Sequence, residues 1–224
     1  MSGLIVYGDP HGEWRPLFRA CENDPPEAVI ILGDLDLDVP FRERLWPLLE
    51  RGIRTLWIVG NHDKDSEVRH DHLFGYPEGC LGARPVIAGG IRAAGLGGVF
   101  KEKVWYPRFA HADPVHASRA SFMRSLTKTD RWRRGLPLKL RDAIFPEDVT
   151  AMSGARVDLL VTHEAPSSHK HGFVGVDRAA ELCRARLVVH GHHHESVHGQ
   201  LPGGVPVRGL AKAEVLRLSP GNVP

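Results

Sequence analysis

The chain is organised around one segment near its end, Leu187-Val188-Val189-His190-Gly191-His192-His193-His194. Its apolar first half predicts a short buried strand, and the glycine with three histidines predicts the loop that follows. Because alternate residues of an extended segment point the same way, His192 and His194 can reach one site while His193 points elsewhere. Neutral imidazole is the commonest protein ligand for transition metals. A metal site is therefore one interpretation, and a chance run of histidines in a solvated loop is the other.

Four more predicted strands end in the same kind of loop. The five strands are continuous apolar runs at residues 4–7, 28–32, 54–59, 157–162 and 187–190. Potential metal ligands follow them in turn, as Asp9 with His11, Asp34, Asn61 with His62, His163, and His192 with His194. Amphipathic segments at about 13–22 and 41–49 separate the first three strands and predict helices. This alternation predicts a parallel sheet with its functional groups at the carboxyl ends of the strands.

The ligand types indicate which metals such a site would prefer. At a single strand end, Asp, Asn and Gly would be explained as ordinary turn residues. The presence of possible metal ligands at all five strand ends is improbable by chance. A mixture of carboxylate, amide and imidazole groups suits Mn²⁺, Fe or Zn²⁺, whereas a lone Mg²⁺ site would use mainly oxygen ligands. There are more ligands than one ion needs. Two ions bridged by a carboxylate would use them all, and such centres activate water and stabilise displacement at phosphorus.

The remaining sequence predicts a single domain, residues 1–224, with an insertion at about 101–153. Further elements are predicted as a glycine-turn hairpin at 86–96, helices at 115–126 and 176–184, and strands at 205–207 and 214–218. The insertion contains a basic stretch, Arg131 to Arg141. This stretch could line a cleft and bind phosphate or nucleic acid, but a solvated, charge-rich face is the favoured interpretation.

Composition narrows the class of protein and its surroundings. Of the 224 residues, 42% are hydrophobic and 25% are charged, and the net charge of +2 does not argue for a nucleic-acid partner. The three cysteines lack the spacing of a disulfide framework or a thiolate zinc site, which favours a reducing compartment. Neither a signal peptide nor a membrane-spanning run is expected. We therefore expect a cytoplasmic protein without membrane association.

The ordered loop sequences resemble the signature of the calcineurin-like metallophosphoesterases. The matching blocks are Asp9-Pro10-His11-Gly12, Gly33-Asp34, Gly60-Asn61-His62-Asp63, Thr162-His163 and Gly191-His192-His193-His194. They run from residue 9 to residue 194, so the resemblance covers nearly the whole chain. It implies an α/β fold in which two mixed sheets form a β-sandwich flanked by helices, a four-layer αββα arrangement. The alternation of strands and helices does not by itself predict the second sheet.

The same resemblance implies roles for eight residues of these blocks. As metal ligands it implies Asp9, His11 and His194 for one divalent ion, and Asn61, His163 and His192 for a second. Asp34 would bridge the two ions together with the hydroxide that attacks phosphorus. His62 would bind no metal and would be the catalytic residue that gives a proton to the leaving oxygen. General chemistry supports this division, because a hydroxide between two dications forms near neutral pH and only the leaving oxygen still needs an acid.

One position departs from the family pattern. Many members carry Gly-Asp-x-x-Asp, whose second aspartate orients the catalytic histidine, whereas here Leu37 stands at that position, between Asp36 and Asp38. Either neighbour takes over this function, or His62 is held in another way. The Arg-Gly pair that usually follows in the protein-phosphatase and dinucleotide-polyphosphatase branches is also absent. The departure weighs against those two substrate classes.

The sequence therefore predicts a phosphoric ester hydrolase with two divalent metal ions as cofactors, Mn²⁺ being favoured over Fe or Zn²⁺. Direct attack by the bridging hydroxide needs no phosphorylated enzyme intermediate. A small phosphate ester is the favoured substrate, with monoesters and diesters both open, because no nucleic-acid module stands out. Two alternatives are a metal-binding scaffold that has lost catalysis and a nuclease that uses the basic stretch.

Several other histidines lie close to these blocks in the sequence. His169 and His171 follow the block that ends in His163, in a loop that either reaches over a substrate or is simply exposed. We expect His190 to be a buried strand residue. We expect His193 and His198 to take no part in the site.

Overall fold

A computed structural model describes residues 3–224 of the chain and places them in two mixed β-sheets. The strands are β1 (Leu4–Tyr7), β2 (Ala28–Ile31), β3 (Arg54–Trp57), β4 (Val86–Ala88), β5 (Ile91–Leu96), β6 (Leu159–Thr162), β7 (Leu187–His190), β8 (Val197–Gln200), β9 (Pro206–Gly209) and β10 (Val215–Leu218). The helices are α1 (Arg15–Asn23), α2 (Phe41–Arg44), α3 (Trp46–Leu49), α4 (Glu67–Phe74), α5 (Arg119–Ser125), α6 (Pro146–Thr150) and α7 (Val174–Cys183). One sheet has the order β10-β1-β2-β3, and the other has the order β4-β5-β6-β7-β9-β8.

Parallel pairing occupies the centre of both sheets. In the first sheet β1, β2 and β3 run parallel, and β10 pairs with β1 in the antiparallel direction. In the second sheet β5, β6, β7 and β9 run parallel, while β4 and β8 are antiparallel edge strands. Every residue of β1, β2, β6 and β7 is buried, which is why these strands are continuous apolar runs rather than alternating ones.

Alternate strand residues divide the core into layers. Leu4 and Val6 of β1 share one buried cluster with Leu159 and Val161 of β6, so the two sheets pack face to face. The other two residues of β1 pack with the helices α1 to α3. On the far side, Leu160 of β6 packs with α6 and α7. The four-layer αββα sandwich that the resemblance implies is thereby confirmed.

Most predicted elements are present; two of them differ from the prediction, and the strand β8 is not predicted. The stripe at 41–49 forms two short helices, because Pro47 lies in the first turn of α3, where proline begins a helix more readily than it continues one. Helix α5 begins at Arg119, since the Ser118 hydroxyl caps it by accepting from the Ser121 amide. The sequence does not predict β8, because it is a polar, largely exposed edge strand without an apolar run.

Residues 101–153 pack onto the rest of the chain around a small core of their own. This core consists of Val104, Phe122, Leu136, Ala143 and Phe145. The basic stretch meets α4 where Arg133 donates two hydrogen bonds to the carboxylate of Asp71. The ring of Trp132 lies beside two guanidinium groups, with its centroid 4.2 Å from Arg133 Cζ and 4.9 Å from Arg141 Cζ. These two arginines are therefore engaged within the chain.

The helices outside the sheets are short. The longest described helix, α7, has 10 residues. Within residues 3–224, none has the combination of length and apolar character that crossing a bilayer requires. The three cysteines are free thiols, and two of them, Cys21 and Cys183, are buried in the packing of helices against the sheets.

Candidate metal centre

The predicted ligands meet at one edge of the sandwich. They follow the carboxyl ends of β1, β2 and β3 in one sheet and of β6 and β7 in the other. Four of them have left-handed backbones, with φ of 43° at His11, 51° at Asp34, 71° at His192 and 54° at His194. Residues other than glycine seldom adopt this conformation, and where they do, they concentrate at binding and catalytic sites. The backbone of these loops is thus strained at the positions that carry the candidate ligands.

A first group of ligand atoms comes from His11, Asp34 and His194, whose donor atoms all lie within 4.8 Å of one another. The Nε2 atoms of His11 and His194 face each other at 2.9 Å, and His11 Nε2 lies 3.6 Å from an Asp34 oxygen. The carboxylate of Asp9 is fully buried beside them. Its Oδ2 accepts from the amide of His192 at 2.7 Å, and its Oδ1 has no hydrogen-bond partner among the described residues. These unpaired and facing donor atoms could be satisfied together by a cation.

A second group comes from Asp34, His163 and His192, again with donor atoms within 4.8 Å of one another. His163 is fully buried, and its Nδ1 donates to the carbonyl of Leu32 at 2.7 Å. This bond turns Nε2 towards the Oδ1 of Asn61 at 3.0 Å and an oxygen of Asp34 at 3.5 Å. Proteins commonly orient a metal-binding histidine through such a bond from its other ring nitrogen. The seven predicted ligands therefore lie together, and Asp34 belongs to both groups.

Charge in the centre is concentrated on one pair. Burial opposes charge on both Asp34 and His163. Their mutual attraction outweighs burial and lowers the pKa of the Asp34 carboxyl group well below its usual range. The same attraction, with that of Asp9, raises the pKa of His163 well above its usual value. Burial, together with the charge on His163, lowers the pKa of His192 to about 3, and burial also lowers the pKa of His194. Metal binds ionised carboxylates and neutral imidazoles. Of these four groups, only His163 must lose a proton to become a ligand.

Two glycines allow the loops to approach this closely. A Cβ at Gly191 would lie 2.5 Å from Asp9 Oδ1, and a Cβ at Gly60 would collide with the carboxylate of Asp34. Only glycine fits either position without displacing a candidate ligand. Asp9 Oδ1 without a hydrogen-bond partner and the facing imidazole nitrogens of His11 and His194 fit a divalent-metal site better than a purely structural cluster.

Asp63 ties two of the ligand loops together, a role that is not predicted from the sequence. It is almost fully buried and accepts hydrogen bonds from the amides of Asp34 at 3.0 Å, Leu35 at 2.8 Å and Gly60 at 2.7 Å. Burial, followed by the nearby charge of Asp34, raises the pKa of Asp63 to about 7. The position of Asp63 in the loop, two residues after Asn61, is the sequence feature that could have indicated this role, because one carboxylate can accept hydrogen bonds from several loop amides.

The position of Leu37 is explained by the packing. Leu37 is 2% exposed and belongs to the cluster between the first sheet and its helices, so it cannot reach the centre. Its neighbour Asp36 accepts from Nδ1 of His11 at 3.2 Å and thereby presents Nε2 of that ring to the first group. Asp38, the other neighbour, is exposed and pairs with Arg44. Neither neighbour holds His62, which is therefore held in another way.

His62 is held by Asp65, three residues further along the chain. Nδ1 of His62 donates to Oδ2 of Asp65 at 2.6 Å, and the ring lies 5.4 Å from the ring of His11. The side chain of His62 is 46% exposed, so it stands at the mouth of the centre rather than within it. The side-chain contact is local, while the loop after β2 holds the backbone of His62, whose amide donates to Oδ1 of Asp34 at 2.7 Å.

We expect Asp65→Ala to lower kcat for phosphate ester hydrolysis by about tenfold to a hundredfold, because His62 would lose the partner that fixes its ring. The measurement is a double-mutant cycle with His62→Ala. If Asp65 acts through His62, Asp65→Ala causes no further loss in the His62→Ala background. Glu67→Ala, at an exposed position two residues along the chain, is the control and should match the wild type. An equal loss in both backgrounds would show that Asp65 acts in some other way.

Further histidines gather behind the second group. His190 is buried in β7 as expected, and His193 stacks on His169 with ring centroids 4.2 Å apart. Burial lowers the pKa of both His190 and His193 to about 4. Glu164, His192 and His193 form a third set of nearby ligand atoms, and burial raises the pKa of Glu164 to about 7. Glu164 received no role from the sequence, because one glutamate in a loop carries no distinctive pattern.

Comparison with known proteins identifies the family of this chain. Residues 4–196 match the sequence model of the family described as calcineurin-like phosphoesterase. A Haemophilus influenzae protein, described as uncharacterized, is 35% identical over 198 residues, which cover 86% of this chain and 84% of that protein. The crystal structure of TT1561 of Thermus thermophilus has a TM-score of 0.55 at 15% identity, covers 97% of this chain and 98% of its own, and shares the fold. The chain therefore belongs to the calcineurin-like phosphoesterase family, whose class of reaction is the metal-dependent hydrolysis of phosphate esters.

Proposed function

We propose that this chain hydrolyses a phosphate ester at a centre of two divalent metal ions. The observation that supports this most directly is that two groups of ligand atoms share the carboxylate of Asp34. The ligands would be Asp9, His11 and His194 for one ion and Asn61, His163 and His192 for the other, with Asp34 common to both. When bound, such ions activate a water molecule and neutralise charge on the phosphate. The mixed ligand set favours Mn²⁺, with Fe or Zn²⁺ as alternatives.

His62 would supply the proton that the leaving oxygen needs. With its Nδ1 proton donated to Asp65, a proton on Nε2 is the one that can pass to the substrate. Its exposure at the mouth of the centre lets it recover a proton from solvent after each turnover. No side chain of the centre has to form a covalent bond to phosphorus, because an activated water can attack directly.

The two alternative functions have less support. A scaffold without catalysis would be expected to lose ligands or the proton donor, whereas all seven ligand positions and His62 are present and gathered in one place. A nuclease would need an open basic surface, but Arg133 and Arg141 of the basic stretch are engaged with Asp71 and Trp132. A small phosphate ester is therefore our proposed substrate. The free thiols fit a reducing compartment, and we propose the cytoplasm.

The test is hydrolysis of p-nitrophenyl phosphate and bis(p-nitrophenyl) phosphate by chelator-treated protein, before and after Mn²⁺ is added. We expect no turnover without metal and turnover of at least one compound with it. His62→Ala should retain bound metal and lose about 10²-fold or more in kcat. His198→Ala, a change at an exposed histidine of β8 that contacts Arg208, should behave as the wild type. A metal-loaded protein that turns over neither compound would contradict the proposal.

A further inference from the structure

A side cleft of about 270 Å³ opens beside the second group of ligands. Its lining includes Phe100, Tyr106, Arg108, Phe173 and His192, together with the buried side chain of Glu164. Because His192 also belongs to the metal centre, a phosphate held at the centre has one side facing this cleft. The volume lies just below the usual range of small-molecule sites, about 300–1,000 Å³. It suits a single ring system rather than a polymer.

The cleft is lined mainly by polar groups and presents one exposed aromatic ring, that of Tyr106, beside the cation of Arg108. Phe173 packs against Phe100 and Tyr106, with ring centroids 4.8 Å and 4.9 Å away. Both phenylalanines are buried, but Tyr106 is 38% exposed, so part of its ring is open to a ligand. Arg108 is held in place by a hydrogen bond to the carbonyl of Lys170 and has further N–H donors to offer. Flat rings with hydrogen-bond acceptors match such a surface.

The cleft and the proton donor belong to different parts of the centre. His62 lies beside His11 of the first group, with ring centroids 5.4 Å apart. The cleft begins at His192, which lies beside His163 of the second group, with ring centroids 4.8 Å apart. The leaving oxygen must be within reach of His62 to receive its proton. A group that occupies the cleft is therefore attached to phosphorus through a different oxygen from the one that leaves.

We propose that the side cleft binds the ester group that stays on the phosphate, and that the substrates are phosphodiesters in which this group carries a flat ring, such as a nucleobase. This inference rests on the proposed phosphoesterase function. The proposal also assigns a function to the insertion, because Tyr106 and Arg108 belong to residues 101–153. Phe100 and Phe173 come from the loops after β5 and β6, which end at the same edge of the second sheet as the metal centre.

The experiment compares two diesters with the same leaving group, phenyl p-nitrophenyl phosphate and ethyl p-nitrophenyl phosphate, using Mn²⁺-loaded protein. For each protein we take the ratio of kcat/KM for the phenyl ester to kcat/KM for the ethyl ester. The two compounds differ in intrinsic reactivity, but this difference is the same for every variant and drops out when the ratios are compared. We expect this ratio to fall by about tenfold in Tyr106→Ala and to be kept in Tyr106→Phe. Phe109→Ala is the matched control, because Phe109 is an exposed aromatic of the same insertion outside the side cleft. An unchanged ratio in Tyr106→Ala would overturn the proposal.

A binding measurement separates this proposal from the proposed function. Calorimetry with diphenyl phosphate and diethyl phosphate needs no turnover, and we expect the wild type to bind the diphenyl compound about tenfold more tightly. Tyr106→Ala should remove that preference. Selective binding without hydrolysis of any ester would support the cleft while contradicting the proposed function. Equal affinity of the wild type for both compounds would overturn the cleft, whatever the protein hydrolyses.

Discussion

Replacing Asp34 with asparagine is expected to lower phosphate ester hydrolysis by about a thousandfold or more and to remove bound metal. Asp34 is the residue whose oxygens lie among both groups of candidate ligand atoms, so its charge would hold both ions. Asparagine keeps the size and one oxygen but removes the charge and the second strong ligand oxygen. The loss should appear both as a lower metal content and as a lower kcat/KM, measured on the same protein preparation.

Asp38→Asn is the matched control for this prediction. Asp38 lies on the same loop after β2, but it is exposed and pairs with Arg44, away from the centre. We expect unchanged metal content and unchanged hydrolysis in this variant. Circular dichroism should show that both variants are folded. If Asp34→Asn kept its metal and its activity, the shared carboxylate would not be part of the reaction, and the two-metal proposal would fail.

The location of the site could be predicted from the sequence because the physics of parallel sheets fixes it. Short apolar runs such as 4–7 and 28–32 are buried on both faces, and parallel strands end at a common edge. Ligands that follow neighbouring strands of one sheet are therefore close together even when they lie apart in the chain, as His11 and Asp34 do. The face-to-face packing of the two sheets then brings Asp9, after β1, beside His192, after β7. The prediction of a joint site needed only the order of strands and the residues after them.

Other features depend on tertiary contacts that no local pattern encodes. Periodicity gives the strands but not how they divide into sheets, so β5 and β6 could not be separated from β1 to β3 by pattern alone. The family pattern places the partner of His62 at the position of Leu37, whereas in the structure Asp65 is the partner. The wall of the side cleft comes from Tyr106, in the segment with the least regular sequence. Residues without periodicity can take any position that the surrounding packing allows.

The charge on the His163–Asp34 pair shows how folding and metal binding are coupled here. Without metal, a proton on His163 balances the buried carboxylate of Asp34. His163 would have to give up the proton on Nε2 to become a metal ligand, so metal binding and the charge of this buried pair are coupled. The hydrogen bond from His163 to Leu32 persists in either state and keeps the ring in place.

Asp63→Ala should have the largest effect on stability of any single change near the site. Three amides, those of Asp34, Leu35 and Gly60, would lose their acceptor in a region without solvent access. Each unsatisfied buried amide costs about 1–3 kcal/mol, and the removal of a charge next to Asp34 offsets part of the sum. We expect the free energy of unfolding to fall by about 4 kcal/mol and Tm to fall by roughly 10 °C, measured by thermal unfolding of chelator-treated protein.

Asp63→Asn distinguishes hydrogen bonding from simple cavity formation, because asparagine fills the same space. Its single oxygen can accept from two amides, but its NH₂ group would face the third amide donor. We therefore expect a loss of stability between that of the wild type and that of Asp63→Ala. Glu67→Ala, at an exposed position, should change Tm by little. If Asp63→Ala unfolded at the wild-type temperature, the loops after β2 and β3 would not depend on this carboxylate. Their close packing at Gly60 and Asp34 would then be sufficient to hold them together.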